Sequence, residues 1–197
     1  MCVAILKTQG HRVSRKTLND AWETNPHGGG LAWVDNGKIN VWKSLDQKEF
    51  VNNAVKLQTK YLATNMLIHM RIKTHGFVSI ANTHPFSISK DVVFIHNGII
   101  PNMPQSEEIS DTRFFNRLYL RKLPFKFKIG NKALRRMIEA MIGGSKLVFL
   151  NSNGEYDIAN EPHGSWKDGN WFSNLYHCNH QYDEGDDWGG AIFKLRE

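Results

Sequence analysis

Cysteine is scarce in this sequence: of 197 residues, only Cys2 and Cys178 carry a thiol. Because no secretory signal accompanies them, we expect no structural disulfide and a cytoplasmic location. The first apolar stretch stops at Lys7, and no apolar run approaches the roughly 20 residues of a membrane-spanning helix. These absences point away from a disulfide-stapled secreted domain and from a membrane protein.

Acidic residues are outnumbered by basic ones, which gives a net charge of +6. Basic clusters include Arg117, Arg121 and Lys122, and further along the chain Arg135 and Arg136. A nucleic-acid partner is not indicated beyond this charge, because the clusters lack interleaved aromatic residues and no zinc-finger spacing is present. We therefore interpret them as solvated helix faces. Hydrophobic residues make up 41% of the chain, which predicts one packed domain over residues 2–197.

Turn signals divide the chain into strand pairs and helices. Asn36-Gly37 and Asn153-Gly154 are two-residue hairpin signals between apolar stretches. Segments with helical periodicity lie between groups of predicted strands. This pattern predicts an α+β protein with antiparallel sheets. The predicted helices are Ser14–Thr24, about Leu45–Tyr61 with Ser44 and Gln47 as a capping box, Ser110 to about Leu123, and Lys132–Ile142. The predicted strands include Cys2–Leu6, Leu31–Asp35, Lys38–Lys43, Asn65–Ile72, Asp91–His96 and Trp171–His177, with Asn25–Gly30 as a loop and Ala191–Leu195 as a short final segment.

Cys2 is the first candidate for chemistry. Removal of Met1 would leave a residue with both a thiol and a free α-amino group, which is a nucleophile with its own base. The thiolate is the attacking form, and the α-amine titrates near neutral pH. The alternative is that Cys2 is the first buried residue of the strand that continues through Leu6.

Four further stretches stand out because of their order along the chain. They are Arg71-Ile72-Lys73-Thr74-His75-Gly76, Asn82-Thr83-His84-Pro85-Phe86, His96-Asn97-Gly98 and Ser110-Asp111-Thr112. Together with Cys2, the segment Asn25–Trp33 and the late Trp171-Phe172-Ser173-Asn174, they resemble the glutamine-hydrolysing domain of class II, or N-terminal-nucleophile, glutamine amidotransferases. The resemblance extends from Cys2 to about Asn174. It implies a four-layer αββα sandwich of two antiparallel sheets between helical layers.

The resemblance also implies a role for each motif residue. Cys2 would attack the side-chain amide of glutamine, and ammonia would pass to an acceptor on a partner protein. The Asn97 side chain and the Gly98 backbone N–H would stabilise the oxyanion. Arg71 would bind the substrate α-carboxylate and Asp111 its α-ammonium group. Thr74, His75 and Gly76 would line the same pocket.

Each assignment has an alternative. Arg71 can be an ion-paired strand residue, Asn97-Gly98 a hairpin turn, and Asp111 part of a helix cap. The histidines of these motifs can be metal ligands or structural, and we favour the structural role. His177, Cys178 and His180 have no recognisable zinc spacing. We expect no cofactor and no metal. The alternative functions are an amidase for another small amide and an inactive binding module of the same fold.

Overall fold

The computed structural model describes residues 2–123 and 127–177, and within them the chain forms two antiparallel sheets. The short final segment Ala191–Leu195 and the second thiol, Cys178, lie outside the described residues. The strands are β1 Val3–Lys7, β2 Gly29–Asp35, β3 Lys38–Ser44, β4 Met66–Met70, β5 Phe86–Ser87, β6 Val92–Asn97, β7 Lys146–Asn151, β8 Tyr156–Ala159, β9 Ser165–Lys167 and β10 Asn170–Phe172. The first sheet has the order β3-β2-β4-β1-β10-β9, and the second has the order β5-β6-β7-β8.

The helices begin at polar caps that the sequence signals. Ser14 and Ser110 accept hydrogen bonds from backbone N–H groups of the first turn, as predicted. The Ser44–Gln47 capping box is wrong: Asp46 caps the second helix, and Ser44 instead donates to the Glu49 carboxylate. The helices are α1 Arg15–Thr24, α2 Gln47–Lys60, α3 Asp111–Leu118 and α4 Lys132–Ile142, with short 3-10 turns at Ile80–Asn82, Leu120–Lys122 and Glu161–His163.

Successive side chains of a strand point to opposite faces of its sheet, so each strand contributes to two apolar layers. In β1, Val3 and Ile5 pack with α1 and α2, whereas Ala4 and Leu6 face the second sheet. The same alternation places Phe94 of β6 against α3 and α4 and its neighbours Val93 and Ile95 between the sheets. The layers therefore follow the order helices, first sheet, second sheet, helices. The predicted αββα sandwich is confirmed.

This alternation also decides which polar residues meet at one end of the sandwich. Cys2 precedes Val3 and so continues the face of β1 that looks toward the second sheet. Asn97 ends β6 in phase with Val93 and Ile95, so it faces the first sheet. The two residues consequently approach each other across the space between the sheets, although 94 residues separate them along the chain.

The glycine-rich segment Asn25–Gly30 differs from the predicted loop at its end. Gly29 and Gly30 already belong to β2, where they pair with Met70 and His69 of β4. A side chain at Gly30 would collide with the carbonyl group of His84, so the close approach of the His84-Pro85 segment requires glycine there. None of the described helices has the length and apolar character needed to cross a bilayer.

Candidate active site

Cys2 lies, partly buried, at the entrance to the space between the sheets. Its thiol donates to the carbonyl oxygen of Ile72 over 3.4 Å. Burial raises the pKa of the Cys2 thiol above its ordinary value, and the Ile72 contact and the nearby charge of Arg71 only partly oppose this effect. The resting thiol is therefore protonated near neutral pH, and a nearby base is needed to make it a nucleophile.

Asn97 is buried and its side-chain amide is directed at Cys2. Asn97 Nδ2 donates to the carbonyl oxygen of Cys2 and, over 2.7 Å, to Ser173 Oγ. The same Cys2 carbonyl oxygen also accepts from Asn174 Nδ2 at 2.8 Å. Ser173 is tied to β1 in turn, because its N–H donates to the Ala4 carbonyl and its Oγ accepts from the Ala4 N–H. Cys2, Asn97, Ser173 and Asn174 thus form one hydrogen-bonded group that joins the sheets.

Gly98 allows the chain to leave β6 immediately after Asn97. Its φ of +135° lies in a region that favours glycine, and a Cβ there would collide with Ser145. Ser145 Oγ fixes the next residue by donating to the Ile99 carbonyl at 2.9 Å. The backbone of Gly98 is therefore positioned beside the Asn97 amide by its lack of a side chain.

Arg71 directly follows β4 and is buried. Its guanidinium group donates to the carbonyl oxygens of His75 at 2.7 Å, Phe77 at 3.0 Å and Gly76 at 3.3 Å. Burial lowers the pKa of Arg71, while the charges of Cys2 and Asp111 act in the opposite direction. Arg71, Cys2 and Asp111 therefore lie in one electrostatic neighbourhood, and Arg71 also shapes the loop that follows it.

The Thr74–Gly76 segment forms one wall of an open cavity of about 530 Å³. The opposite wall is Gln105–Glu107, so the cavity lies between two loops at the end of the sandwich. Asn82 joins these loops, because its Nδ2 donates to the carbonyl oxygens of Phe77 and Glu108. Of the three predicted pocket residues, Thr74 is exposed, His75 is half-buried and Gly76 is buried, so the first two lie at the solvent-facing entrance.

Asp111 opens α3 and is buried, with 9% of its surface exposed. One carboxylate oxygen accepts from the N–H of Ile100 at 2.9 Å, and the other accepts from the N–H of Thr112 at 2.8 Å. Asp111 therefore contacts the turn that contains Gly98 as well as its own helix. The unpaired N–H groups of the helix start stabilise its negative charge.

Three buried histidines connect these parts. His69 of β4 must donate through Nε2, since its partner at 2.9 Å is the carbonyl oxygen of His96. His96 Nδ1 lies 2.8 Å from Thr112 Oγ1, and that hydroxyl group donates to the Asp111 carboxylate at 3.3 Å. The His84 ring packs against His69 with a centroid separation of 4.1 Å. Burial lowers the pKa of His69 to about 3 and that of His96 to about 4, so both rings are neutral.

The structure brings Cys2, Asn97, Arg71 and Asp111 together from four separate parts of the chain. Sequence reasoning did not assign a role to Ser173, whose hydroxyl group bridges Asn97 and Ala4. The motif Trp171-Phe172-Ser173-Asn174 was the sequence signal that could have identified Ser173. Sequence reasoning also left out the contacts of His69 and Thr112, which arise only from the three-dimensional arrangement. Within residues 2–123 and 127–177, no cluster of His, Cys, Asp or Glu side chains is arranged to hold a metal ion.

The described residues form a four-layer αββα fold, and Cys2 immediately precedes its first strand. A family model described as class-II glutamine amidotransferases matches residues 11–115, just over half of the sequence. The chain belongs to the class II glutamine amidotransferases.

Individual relatives agree with this assignment. A glutamine–fructose-6-phosphate aminotransferase of Fusobacterium nucleatum is 39% identical over 74 residues, which are 37% of this chain and 12% of that protein. A protein of Haemophilus influenzae, provisionally described as a glutamine amidotransferase, is 26% identical over 151 residues, or 67% of this chain and 51% of its own length. The matched stretches thus span about half or less of these relatives.

A solved structure supports the fold independently. The glutamine phosphoribosylpyrophosphate amidotransferase of B. subtilis superimposes with a TM-score of 0.55 at 14% sequence identity. The match covers 87% of this chain and 41% of that one. At this identity the likeness establishes the αββα architecture alone.

Proposed function

We propose that this protein hydrolyses the side-chain amide of glutamine with Cys2 as an N-terminal nucleophile and releases ammonia for transfer to an acceptor. The observation that supports this most is the meeting of Cys2 and Asn97, joined through the Cys2 carbonyl, next to the charged residues Arg71 and Asp111. This is the set of groups that hydrolysis of a free amino-acid amide requires. The proposal includes removal of Met1.

The reaction begins with a proton transfer inside Cys2. The α-amine accepts the thiol proton, and the thiolate attacks the amide carbon of the substrate. The C–N bond breaks, the α-amine returns its proton to the leaving nitrogen, and ammonia departs. Water then attacks the thioester and releases glutamate. Because burial raises the thiol pKa, an adjacent base matters more here than it would for an exposed cysteine.

The oxyanion of the tetrahedral intermediate needs donors, and Asn97 and Gly98 are the candidates. Both Nδ2 hydrogens of Asn97 are engaged in the structure, one of them with the carbonyl oxygen of Cys2. Asn174 donates to the same oxygen, so that oxygen keeps a partner when the Asn97 amide turns toward substrate. Leaving a buried acceptor without a partner is costly, and the second donor avoids this cost.

Recognition of glutamine is assigned to Arg71, Asp111 and the Thr74–Gly76 segment. Arg71 offers a planar fork for an α-carboxylate, and Asp111 offers an anion for an α-ammonium group. Thr74, His75 and Gly76 border the cavity through which the substrate would enter. A zwitterionic substrate matches one cation and one anion held in the same neighbourhood.

The acceptor for ammonia is proposed to reside on a partner protein. The matched stretch is 12% of the length of the Fusobacterium nucleatum relative, which is named as a glutamine–fructose-6-phosphate aminotransferase. Such an enzyme has a second substrate to which nitrogen is transferred. We propose an analogous division of labour between this domain and a synthase, with a cytoplasmic location as a further prediction.

One observation favours the alternative, an amidase that acts on another small amide. The Arg71 guanidinium group already donates to three loop carbonyls, which is a structural role. If that role is its whole contribution, the site selects an amide without selecting an α-carboxylate. No contact among the described residues favours the other alternative, an inactive binding module of the same fold.

The test is a glutaminase assay combined with intact mass measurement on the purified protein. Wild-type protein should lack Met1 and release glutamate and ammonia in equal amounts. Cys2→Ala should retain its thermal midpoint and lose the activity. Full activity in folded Cys2→Ala protein would contradict the proposal.

A further inference from the structure

The positive charge of this chain is concentrated in one of its two outer helical layers. Residues 111–142 contain nine Lys or Arg and two Asp or Glu, a net charge of +7, whereas the whole chain carries +6. The other residues are therefore close to neutral together. In the opposite layer, α1 is balanced, with two basic and two acidic residues, and α2 has three Lys and one Glu.

Six of these basic residues form what we call the basic face. Lys132 and Arg136 are four residues apart in α4, which puts them on one side of that helix, whereas Arg117 lies in α3 and Arg121 in the 3-10 turn that follows it. The apolar residues of the same segments, such as Phe115 and Ile138, are buried against the second sheet. The basic face consists of Arg117, Arg121, Lys122, Lys128, Lys132 and Arg136, and all six are exposed.

The cations of the basic face lack close acidic partners among the described residues, although Lys128 borders a pocket with Asp91 and Glu155, and Arg136 borders one with Glu161. None of its six residues forms an ion pair with another residue in the described part of the chain. Nearby Arg135 shows the contrast, since it pairs with Asp157 at 2.8 Å and with Glu139 at 3.9 Å. Like charges that remain unpaired repel one another and are stabilised by an anionic partner.

An aromatic residue lies among these cations, so the interpretation that the clusters lack interleaved aromatic residues is wrong for the cluster of Arg117, Arg121 and Lys122. Tyr119 stands between Arg117 and Arg121 in sequence, is 41% exposed and packs its ring 5.7 Å from that of buried Phe115. Leu118 beside it is 50% exposed. An exposed ring that packs on a buried one, with cations two residues before and after it in sequence, suits stacking with a nucleic-acid base. An acidic peptide would use the cations but not the ring.

We propose that the basic face is a nucleic-acid-binding surface, on which the Arg and Lys side chains contact the phosphodiester backbone and Tyr119 stacks with an unpaired base. Arginine forks suit phosphate oxygens, and contacts to phosphates carry no sequence preference. The surface therefore binds single strands without strong sequence selection. This inference does not depend on glutamine hydrolysis, and it replaces the interpretation of these clusters as merely solvated helix faces.

The test is fluorescence anisotropy with labelled single-stranded DNA and RNA of about 20 nucleotides, at about 50 and about 200 mM salt. The test variant replaces Arg117, Arg121, Lys128 and Lys132 with Gln. Its matched control replaces Arg12, Arg15, Lys48 and Lys56 with Gln, which removes the same charge from exposed positions elsewhere. The thermal midpoint is measured for each variant.

We expect the wild type to bind single strands. The logarithm of its affinity should fall linearly with the logarithm of salt concentration, with a slope of about 0.7 for each phosphate contact. The test variant should lose tenfold or more in affinity, the control about threefold or less, and Tyr119→Ala about fivefold or more. Photocrosslinking of wild-type protein to thiouridine-containing RNA should map to residues 117–122, which needs no variant. Duplex DNA should bind more weakly than single strands.

Three results would overturn the proposal. The first is absence of binding by folded wild-type protein at low salt. The second is equal weakening of the test and control variants, which would mean that net charge alone attracts the probe. The third is equal competition by polyglutamate or by anionic lipid vesicles, which would assign the surface to an acidic protein or to a membrane.

Discussion

The inner and outer halves of the site are built in different ways. The inner half consists of Cys2, Asn97 and Ser173, and its hydrogen bonds join strand ends of the two sheets. The outer half consists of Arg71, Asp111 and the Thr74–Gly76 segment, and its bonds involve loop carbonyl and amide groups. The groups that would break the amide bond are therefore fixed by the core, whereas the groups that would recognise the substrate depend on loops. Substitutions in the two halves should consequently affect different kinetic constants.

The largest effect is expected in the inner half, from Asn97→Ala. Loss of one oxyanion donor typically lowers kcat by about 100- to 1,000-fold, with little change in KM. Ser173→Ala is the matched control, because it removes a partner of the same amide but leaves the donor in place. It should cost about 1 kcal/mol of stability and much less of kcat. Equal losses of kcat in steady-state assays of the two variants would remove Asn97 from the oxyanion hole.

In the outer half, Arg71→Ala should raise KM for glutamine sharply. Removing one partner of a buried charged pair costs on the order of 2–5 kcal/mol, which is about 30-fold or more. The comparison substrate is a simple primary amide without an α-carboxylate, for which the loss should be much smaller. Arg71→Lys keeps the charge but not the planar fork, so its KM for glutamine should lie between the values for wild type and Arg71→Ala. Equal losses on both substrates would mean that Arg71 only supports the loop, and the amidase alternative would then lead.

The histidines between the halves predict how stability depends on pH. In the unfolded chain they bind protons near pH 6.5, whereas in the folded protein the pKa of His96 is about 4 and that of His69 about 3. The unfolded state therefore binds more protons below pH 6.5, and stability falls as the pH is lowered toward 4. The slope approaches about 1.4 kcal/mol per pH unit for each buried histidine.

His84 offers a control for this pH dependence. Both of its ring nitrogens are buried without a partner among the described residues, and burial lowers its pKa well below the ordinary value. His84→Phe keeps an aromatic ring against Phe86 and removes a titrating group. Urea unfolding between pH 7 and about 4.5 should therefore show a shallower slope for the variant than for wild type. An unchanged slope would show that His84 is charged in the folded protein.

The smallest expected effect tests the contact between Thr112 and Asp111. Thr112→Val removes the hydroxyl group that links His96 to the Asp111 carboxylate. A hydrogen bond to a charged group contributes about 1.5–3 kcal/mol, and the long separation of 3.3 Å favours the lower value, so KM for glutamine should rise about tenfold while kcat changes little. Thr112→Ser should restore the wild-type KM. A loss of kcat that Ser does not rescue would place Thr112 outside substrate recognition.

Local signals in the sequence were sufficient for much of the fold. Asn36-Gly37 turns between β2 and β3 with positive φ at both residues, as the hairpin signal predicts. Helix α4 begins after Asn131 and ends at Ile142, as predicted from the cap and the following Gly143. These features depend on neighbours in sequence, so sequence reasoning can find them. The layered architecture itself came from the family resemblance.

Predictions that depended on distant residues were less accurate. The strand predicted over Trp171–His177 ends at Phe172, because the Ser173 side chain rather than its carbonyl pairs with Ala4. The strand predicted to start at Leu31 starts at Gly29, because β3 and β4 supply partners on both sides. The engagement of both Asn97 hydrogens is likewise a product of the folded arrangement. Motif residues could be named from sequence, but their hydrogen-bond partners could not.

The most direct test of the central claim is covalent labelling with a glutamine analogue that carries an electrophilic carbon at the amide position. The labelled protein is digested, and the modified peptide is sequenced by mass spectrometry. We predict stoichiometric modification of Cys2 in chains that lack Met1, loss of activity in step with labelling, and protection by glutamine. Modification of Cys178 with Cys2 left free, in protein that loses its activity, would contradict the assignment of Cys2 as the nucleophile.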